Sequence, residues 1–165
     1  MPKSFDFIVN ENTSTLIIGS MPGIKSLEAQ EYYAHKQNLF WKFIFDAFQQ
    51  TFDNPSYTEK ITLLQQHHFG LWDVAQSCVR KGSLDINIKN VQPNDFQMLF
   101  MHYPNIKRLL FNGQKAFQLF LSFHKDLLKN KDYLVLPSTS PANASIPLAK
   151  KRELWLSALT QSFLL

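Results

Sequence analysis

Leu16 to Trp41 reads LIIGSMPGIKSLEAQEYYAHKQNLFW, and the rest of the chain is organised around how that stretch folds. Leu16, Ile17 and Ile18 make a short apolar run suited to a buried strand, which breaks at Gly19, Ser20, Met21, Pro22 and Gly23. Two adjacent tyrosines, Tyr32 and Tyr33, follow, and Asn38 stands directly before an aromatic run with helical spacing. Strand, glycine-flanked turn, aromatic loop and capped helix is how an α/β protein brings backbone groups and one polar side chain to the mouth of a pocket.

Working outward, Ser4 to Thr13 is an approach segment, and the first strand is expected over Ser14 to Gly19. Asn38 occupies an N-cap position, and Phe40, Trp41, Ile44, Phe45 and Phe48 form an apolar stripe that predicts a helix to about Phe52. A helix from Thr58 to His67 precedes a strand, Gly70 to Val74, and Cys78 to Asn90 reads as loop. A helix from Asn94 to His102 leads into the near-continuous apolar strand Ile106 to Phe111, which suits the middle of a parallel sheet. Helix Gln114 to Leu128, strand Tyr133 to Leu136, the rigid polar loop Pro137 to Ala144 and a helix from Leu148 to Phe163 complete the pattern. Strand alternating with helix four times predicts a compact α/β sandwich with a mostly parallel sheet and right-handed crossovers. Ligands of such sheets lie beyond the carboxyl ends of the strands, so the segments leaving those ends are expected to line one cleft.

Composition narrows the function classes. With 165 residues, 45 % of them hydrophobic, the chain suits one domain spanning residues 1–165. It has no apolar run approaching the roughly 18 to 20 residues of a membrane span, and Met1 to Asp6 has no signal-like apolar core, so a soluble, cytoplasmic protein is expected. The single Cys78 supplies neither an intrachain disulfide nor the thiolates of an iron–sulfur cluster. The net charge of +4 permits nucleic-acid binding without requiring it.

Several chemistries drop out. The turn at Gly19 to Gly23 has no closing Gly-Lys-Ser/Thr, and its proline removes an amide donor, so it is not a phosphate cradle. His67 and His68 are adjacent and have no partner at ligand spacing, which favours a solvated helix face over a metal site. Ser138 and Ser140 sit in a proline-rich loop without a nucleophile elbow. Aromatics, amides and backbone groups remain, a set suited to holding a flat ring.

The segments GSMPG, YYAHKQNLFW, GLWDVAQSCVRKGSLD, FNGQKA and LPSTSPANA resemble the hypoxanthine-DNA glycosylases, a branch of the uracil-DNA glycosylase superfamily related to the mismatch-specific uracil-DNA glycosylases. The resemblance covers nearly the whole chain. It implies a three-layer α/β/α sandwich around a four-stranded, mostly parallel sheet, and hydrolysis of the N-glycosidic bond of a deaminated base, hypoxanthine first and uracil or mismatched thymine second, flipped from DNA without metal or other cofactor. DNA containing deaminated bases is the implied partner, and a monomer is the default.

The resemblance also implies roles. Where the mismatch-specific relatives have a water-positioning Asn in the turn, this chain has Met21, so the function moves to Asn38, which maps onto the Asn of the motif before Phe-Trp. Tyr33 matches the aromatic that stacks on the extruded base, Asn112 stands where an amide reads the base edge, and Ser20 and Met21 complete the base-binding set. Ser138, Thr139, Ser140 and Pro141 match the loop that presses into the minor groove. Arg80 and Lys81 are candidates for phosphate contacts, whereas Lys150, Lys151 and Arg152 read as a solvated helix face. Asn38 serves catalysis, capping or both. Asp73 stands at the second strand's end, where it activates water or, the better reading, is a buried acceptor for backbone amides. Glycosidic cleavage runs through an oxocarbenium-like state, so a neutral amide suffices to hold the water.

Overall fold

A computed structural model describes residues 1–161. Its elements, in chain order, are β1 (Thr15–Gly19), α1 (Ile24–Ala29), α2 (Phe40–Ala47), α3 (Tyr57–Gln66), β2 (Phe69–Asp73), β3 (Ala75–Val79), β4 (Lys89–Pro93), α4 (Phe96–His102), β5 (Arg108–Asn112), α5 (Gln114–His124), β6 (Asp132–Leu136) and α6 (Leu148–Thr160). The main sheet has the order β2-β1-β5-β6 and is parallel throughout, with Gly19 opposite Asp73 and Asn112 opposite Leu136 at the carboxyl ends.

The layers follow from alternation along the strands. Leu16, Ile18, Trp72, Leu109 and Phe111 face one core with Phe96 and Leu99 of α4 and Ala116, Leu119 and Phe120 of α5. Ile17, Leu71 and Leu110 face the other, where Phe40 and Ile44 of α2, Leu63 and Leu64 of α3 and Trp155 of α6 pack. β1, β2 and β5 are buried at every position, which is why their sequences read as unbroken apolar runs. The expected three-layer α/β sandwich is the observed architecture.

Local differences have local causes. Cys78 to Asn90, expected as loop, contains the end of β3 and the start of β4, an antiparallel hairpin with bulge-like register shifts that erase strict alternation. α1 was not anticipated: Ser83 Oγ, from the hairpin, accepts the Ile24 amide at 2.8 Å, so the start of the helix is capped from 59 residues away. α2 stops at Ala47, short of the expected Phe52, and Gln49 beyond it is in the left-handed region. α3 opens on a local cap instead, Ser56 Oγ accepting from the Glu59 amide at 3.1 Å. α5 ends at His124 and passes into a 3-10 turn at Lys125–Leu128. Phe163, the expected end of the last helix, lies outside the described residues.

The approach segment pairs with the sheet edge. Ile8 and Leu71 exchange both backbone hydrogen bonds at 2.9 Å. The strand crosses so closely at Gly70 that a Cβ there would stand 2.6 Å from the Ile8 carbonyl oxygen. Gly70→Ala is therefore expected to push the approach segment off β2 and to cost about 1–3 kcal/mol in denaturant unfolding; a loss below a few tenths would contradict the close packing.

Candidate active site

The carboxyl ends of β1, β2, β5 and β6 meet at one mouth, and a hydrogen-bond relay through Thr139 assembles its wall. Asn112, the last residue of β5, donates from Nδ2 to Thr139 Oγ1 at 2.9 Å and accepts the Thr139 amide on Oδ1 at 3.0 Å. The Thr139 carbonyl accepts the Leu39 amide at 3.1 Å, which anchors the segment carrying Asn38. Asn112 also hydrogen-bonds the Tyr33 hydroxyl, so the strand end, the Thr139 loop and the tyrosine loop are joined at one residue.

Tyr33 has φ 55, an uncommon conformation for a bulky residue. Its ring is half-buried and packs on Phe40 with centroids 4.1 Å apart and planes 33° apart. Burial of the hydroxyl end, reinforced by Asp73, raises its pKa far above the ordinary tyrosine value. Tyr32, by contrast, belongs to the core, donating to the Asp6 carbonyl at 3.1 Å. Asn38 is half-buried, and its Oδ1 accepts the Phe40 amide at 2.9 Å. The formal cap of α2 is Leu39, which offers no side-chain acceptor, so Asn38 serves the helix start from one position earlier than expected. That bond uses one lone pair of Oδ1 and leaves the Nδ2 group and the second lone pair available.

Below these residues lies a charged cluster. Asp73 is buried, and its Oδ1 lies 2.4 Å from where a Cβ on Gly19 would be; the Tyr33 hydroxyl lies 3.0 Å from the same point. Burial and the neighbouring Asp85 push the Asp73 carboxyl up to about 7, against the opposing pull of Arg80. Asp85 is itself raised by burial, while the Ser20 hydroxyl, which donates to it at 2.7 Å, Arg80 and Lys115 act in the other direction.

Several expected roles move. Asn112 was expected to read the base edge, but its amide is engaged on both sides by Thr139 and again by Tyr33, so it holds the wall together. Thr139 is buried at the root of its loop and is not a DNA contact; Pro141 is exposed, and Ser138 and Ser140 are partly exposed, with the Ser138 hydroxyl accepting the Ser140 amide at 3.2 Å. Met21 turns its side chain into the core beside Leu16 and Ile18, which removes the thioether from the base-binding set. Ser20 is tied to Asp85.

Arg80 is folded inward, donating to the carbonyls of Met21 and Pro22 and facing Asp85 at 4.0 Å, so its guanidinium fastens the β1 turn to the hairpin and makes no phosphate contact. Lys81 is exposed. Lys151, expected on a solvated face, is buried and donates to the Asn143 carbonyl, while Arg152 pairs with Asp46 at 3.2 Å and Lys150 with Glu153 at 3.6 Å. Asp73 was expected to accept backbone amides, but the nearest candidates, those of Val74 and Ala75, bond the Gly19 and Ser20 carbonyls. Asp85 was missed; the close order of Arg80, Ser83 and Asp85 was the signal for it. Among the described residues no group of three or more His, Cys, Asp or Glu is placed to hold a metal, and no helix is long and apolar enough to cross a membrane.

Residues 6–160 match the family model of the uracil DNA glycosylase superfamily, and the chain belongs to that superfamily. Within it, the chain is similar to two proteins named hypoxanthine DNA glycosylase. One, from Methanosarcina acetivorans, is 35 % identical over 153 residues, covering 92 % of each chain. The other, from Methanosarcina barkeri, is 32 % identical over 158 residues, covering 94 % of this chain and 96 % of the relative. A candidate uracil DNA glycosylase of Methanosarcina acetivorans, solved by solution NMR, superposes with a TM-score of 0.81 at 31 % identity over 96 % of both chains.

Folding raises the Asp73 pKa, so the wild type loses stability as pH climbs from the ordinary carboxylate range to about 7 and changes little above it. Asp73→Asn carries no such dependence. In denaturant unfolding its stability relative to wild type is expected to rise by on the order of 2 kcal/mol between pH 5 and pH 8; a pH-independent difference would count against a buried, neutral carboxyl.

Proposed function

We propose that this protein is a monofunctional DNA glycosylase that hydrolyses the N-glycosidic bond of hypoxanthine flipped out of DNA, initiating base excision repair. The observation that carries this reading is the relay from Asn112 through Thr139 to Leu39, which gathers an aromatic ring and an amide around one strand-end mouth. The two relatives named for hypoxanthine support the choice of base. Uracil is the second substrate in this reading, since it presents the same carbonyl beside a ring N–H; mismatched thymine shares that edge but adds a methyl group.

Extruding a base costs a few kcal/mol, least where the base is already mispaired. Stacking on an aromatic ring such as that of Tyr33 returns about 1–3 kcal/mol. As the base departs, positive charge grows on the sugar, and a water held by the Asn38 amide attacks the anomeric carbon. Lys81 and the exposed tip at Ser140 and Pro141 are the DNA-facing groups in this reading.

Asn38→Ala is expected to slow single-turnover release of hypoxanthine from a deoxyinosine duplex by about 100-fold while lowering stability by only about 1 kcal/mol through the lost capping bond. Release at the wild-type rate would remove Asn38 from the chemistry. Tyr33→Leu is expected to weaken binding to a deoxyinosine duplex about 10-fold more than binding to undamaged duplex; equal losses on both would argue against stacking. Alkali cleavage of the product strand separates an enzyme from a lesion-binding protein, because only an enzyme leaves an abasic site.

A further inference from the structure

Asp73 ends β2 opposite Gly19, is 3 % exposed, and among the described residues its carboxyl makes no hydrogen bond to the protein. Among the described residues no side-chain nitrogen or oxygen sealed from solvent lacks a hydrogen-bond partner, so the unpaired Asp73 carboxyl keeps a narrow opening through which a ligand can reach it. Its surroundings indicate which. The carboxyl and the hydroxyl end of the Tyr33 ring converge on the bare backbone of Gly19. A base laid on that ring extends its edge toward the hydroxyl end. Asn112 is also there, but Thr139 occupies its amide from both sides. Asp73 is the unpaired side chain beside the hydroxyl end of the ring.

We propose that Asp73, as the neutral carboxylic acid, pairs with the lactam edge of the flipped hypoxanthine: its carbonyl oxygen accepts the ring N1–H, and its hydroxyl donates to O6. This rests on the glycosylase reading above and deepens it by naming the group that meets the base. A carboxylic acid and a lactam each offer one donor beside one acceptor, so they close two hydrogen bonds at once. During cleavage the C1′–N9 bond breaks and its electron pair leaves with the base, while the water oxygen bonds C1′ and the water's proton ends on the departing base. The charge that builds on O6 strengthens the hydrogen bond from Asp73, which is the kind of interaction that accelerates a reaction. A buried carboxylic acid kept neutral near pH 7 to donate such a bond is known enzyme chemistry. An ionised carboxylate would repel the same charge.

The neighbours hold the acid in the required form. Asp85 favours the neutral state and Arg80 opposes it, while the buried phenols of Tyr33 and Tyr32 face it uncharged; Lys115 acts on Asp85. With the carboxyl raised to about 7, ionisation falls inside an accessible pH range.

The test is single-turnover release of hypoxanthine from a deoxyinosine duplex between pH 5.5 and 9, for wild type, Asp73→Asn and Asp73→Ala. Wild-type release is expected to fall about tenfold per pH unit once Asp73 ionises. Asp73→Asn keeps an acceptor and a donor but has no proton to lose, so its profile is expected to be flat over that range. Asp73→Ala is expected to be about 100-fold slower than wild type at pH 6. Loss of the slope in Asp73→Asn assigns the slope to Asp73.

If Asp73→Ala does not fold, the slopes of wild type and Asp73→Asn decide. A shared slope, or Asp73→Ala within twofold of wild type, overturns this inference and leaves the glycosylase reading standing. No release by wild type at any pH overturns the reading, and this inference with it.

Discussion

The paired hydrogen bonds between the Asn112 amide and Thr139 are what the rest of the site depends on. A parallel sheet delivers four strand ends to one edge, but nothing in sheet geometry aligns the loops that leave them. Asn112 and Thr139 do so because a carboxamide offers a donor and an acceptor side by side, and Thr139 answers both, with its hydroxyl and its amide. Thr139 then passes the constraint on through its carbonyl to Leu39. Three segments distant in sequence are thereby locked in buried surroundings, where an unmade hydrogen bond is expensive.

The main sheet was legible because burial on both faces leaves no room for polar residues. LIIG and LLF could hardly be anything but central strands once bounded by glycine and asparagine, and the structure buries both completely. The β3–β4 hairpin was not legible. It is largely exposed and its register shifts, so neither continuous hydrophobicity nor alternation marks it. α1 escaped for a different reason: at six residues it has little pattern of its own, and its capping oxygen comes from Ser83. Local reading cannot see an acceptor supplied from another element.

At the site, residue types were readable and directions were not. Arg80 lies in a basic-looking stretch, and charge alone pointed it outward toward phosphate; the carbonyls of Met21 and Pro22, which it holds, are invisible as partners in sequence. Asp73 looked like an acceptor for nearby amides, yet continued pairing of the chain after β1 with the chain after β2 uses those amides first. Asn112 was recognised as a strand-end amide, but its tie to Thr139 spans 27 residues, beyond the reach of any local pattern. Tyr33 and Asn38 were singled out by residue type and position, and the structure ties Tyr33 to Asn112 and sets Asn38 at the start of α2.

The loop after β6 is divided in a way that shapes how it can change over time. Thr139 is sealed at its root, while Pro141 and Ala142, two and three residues further along the chain, are open to solvent. Drift in sequence is thus free at the crown and closed at the foundation. Substitutions at the crown leave the pairing of Asn112 with Thr139 intact, whereas a change at the root breaks it.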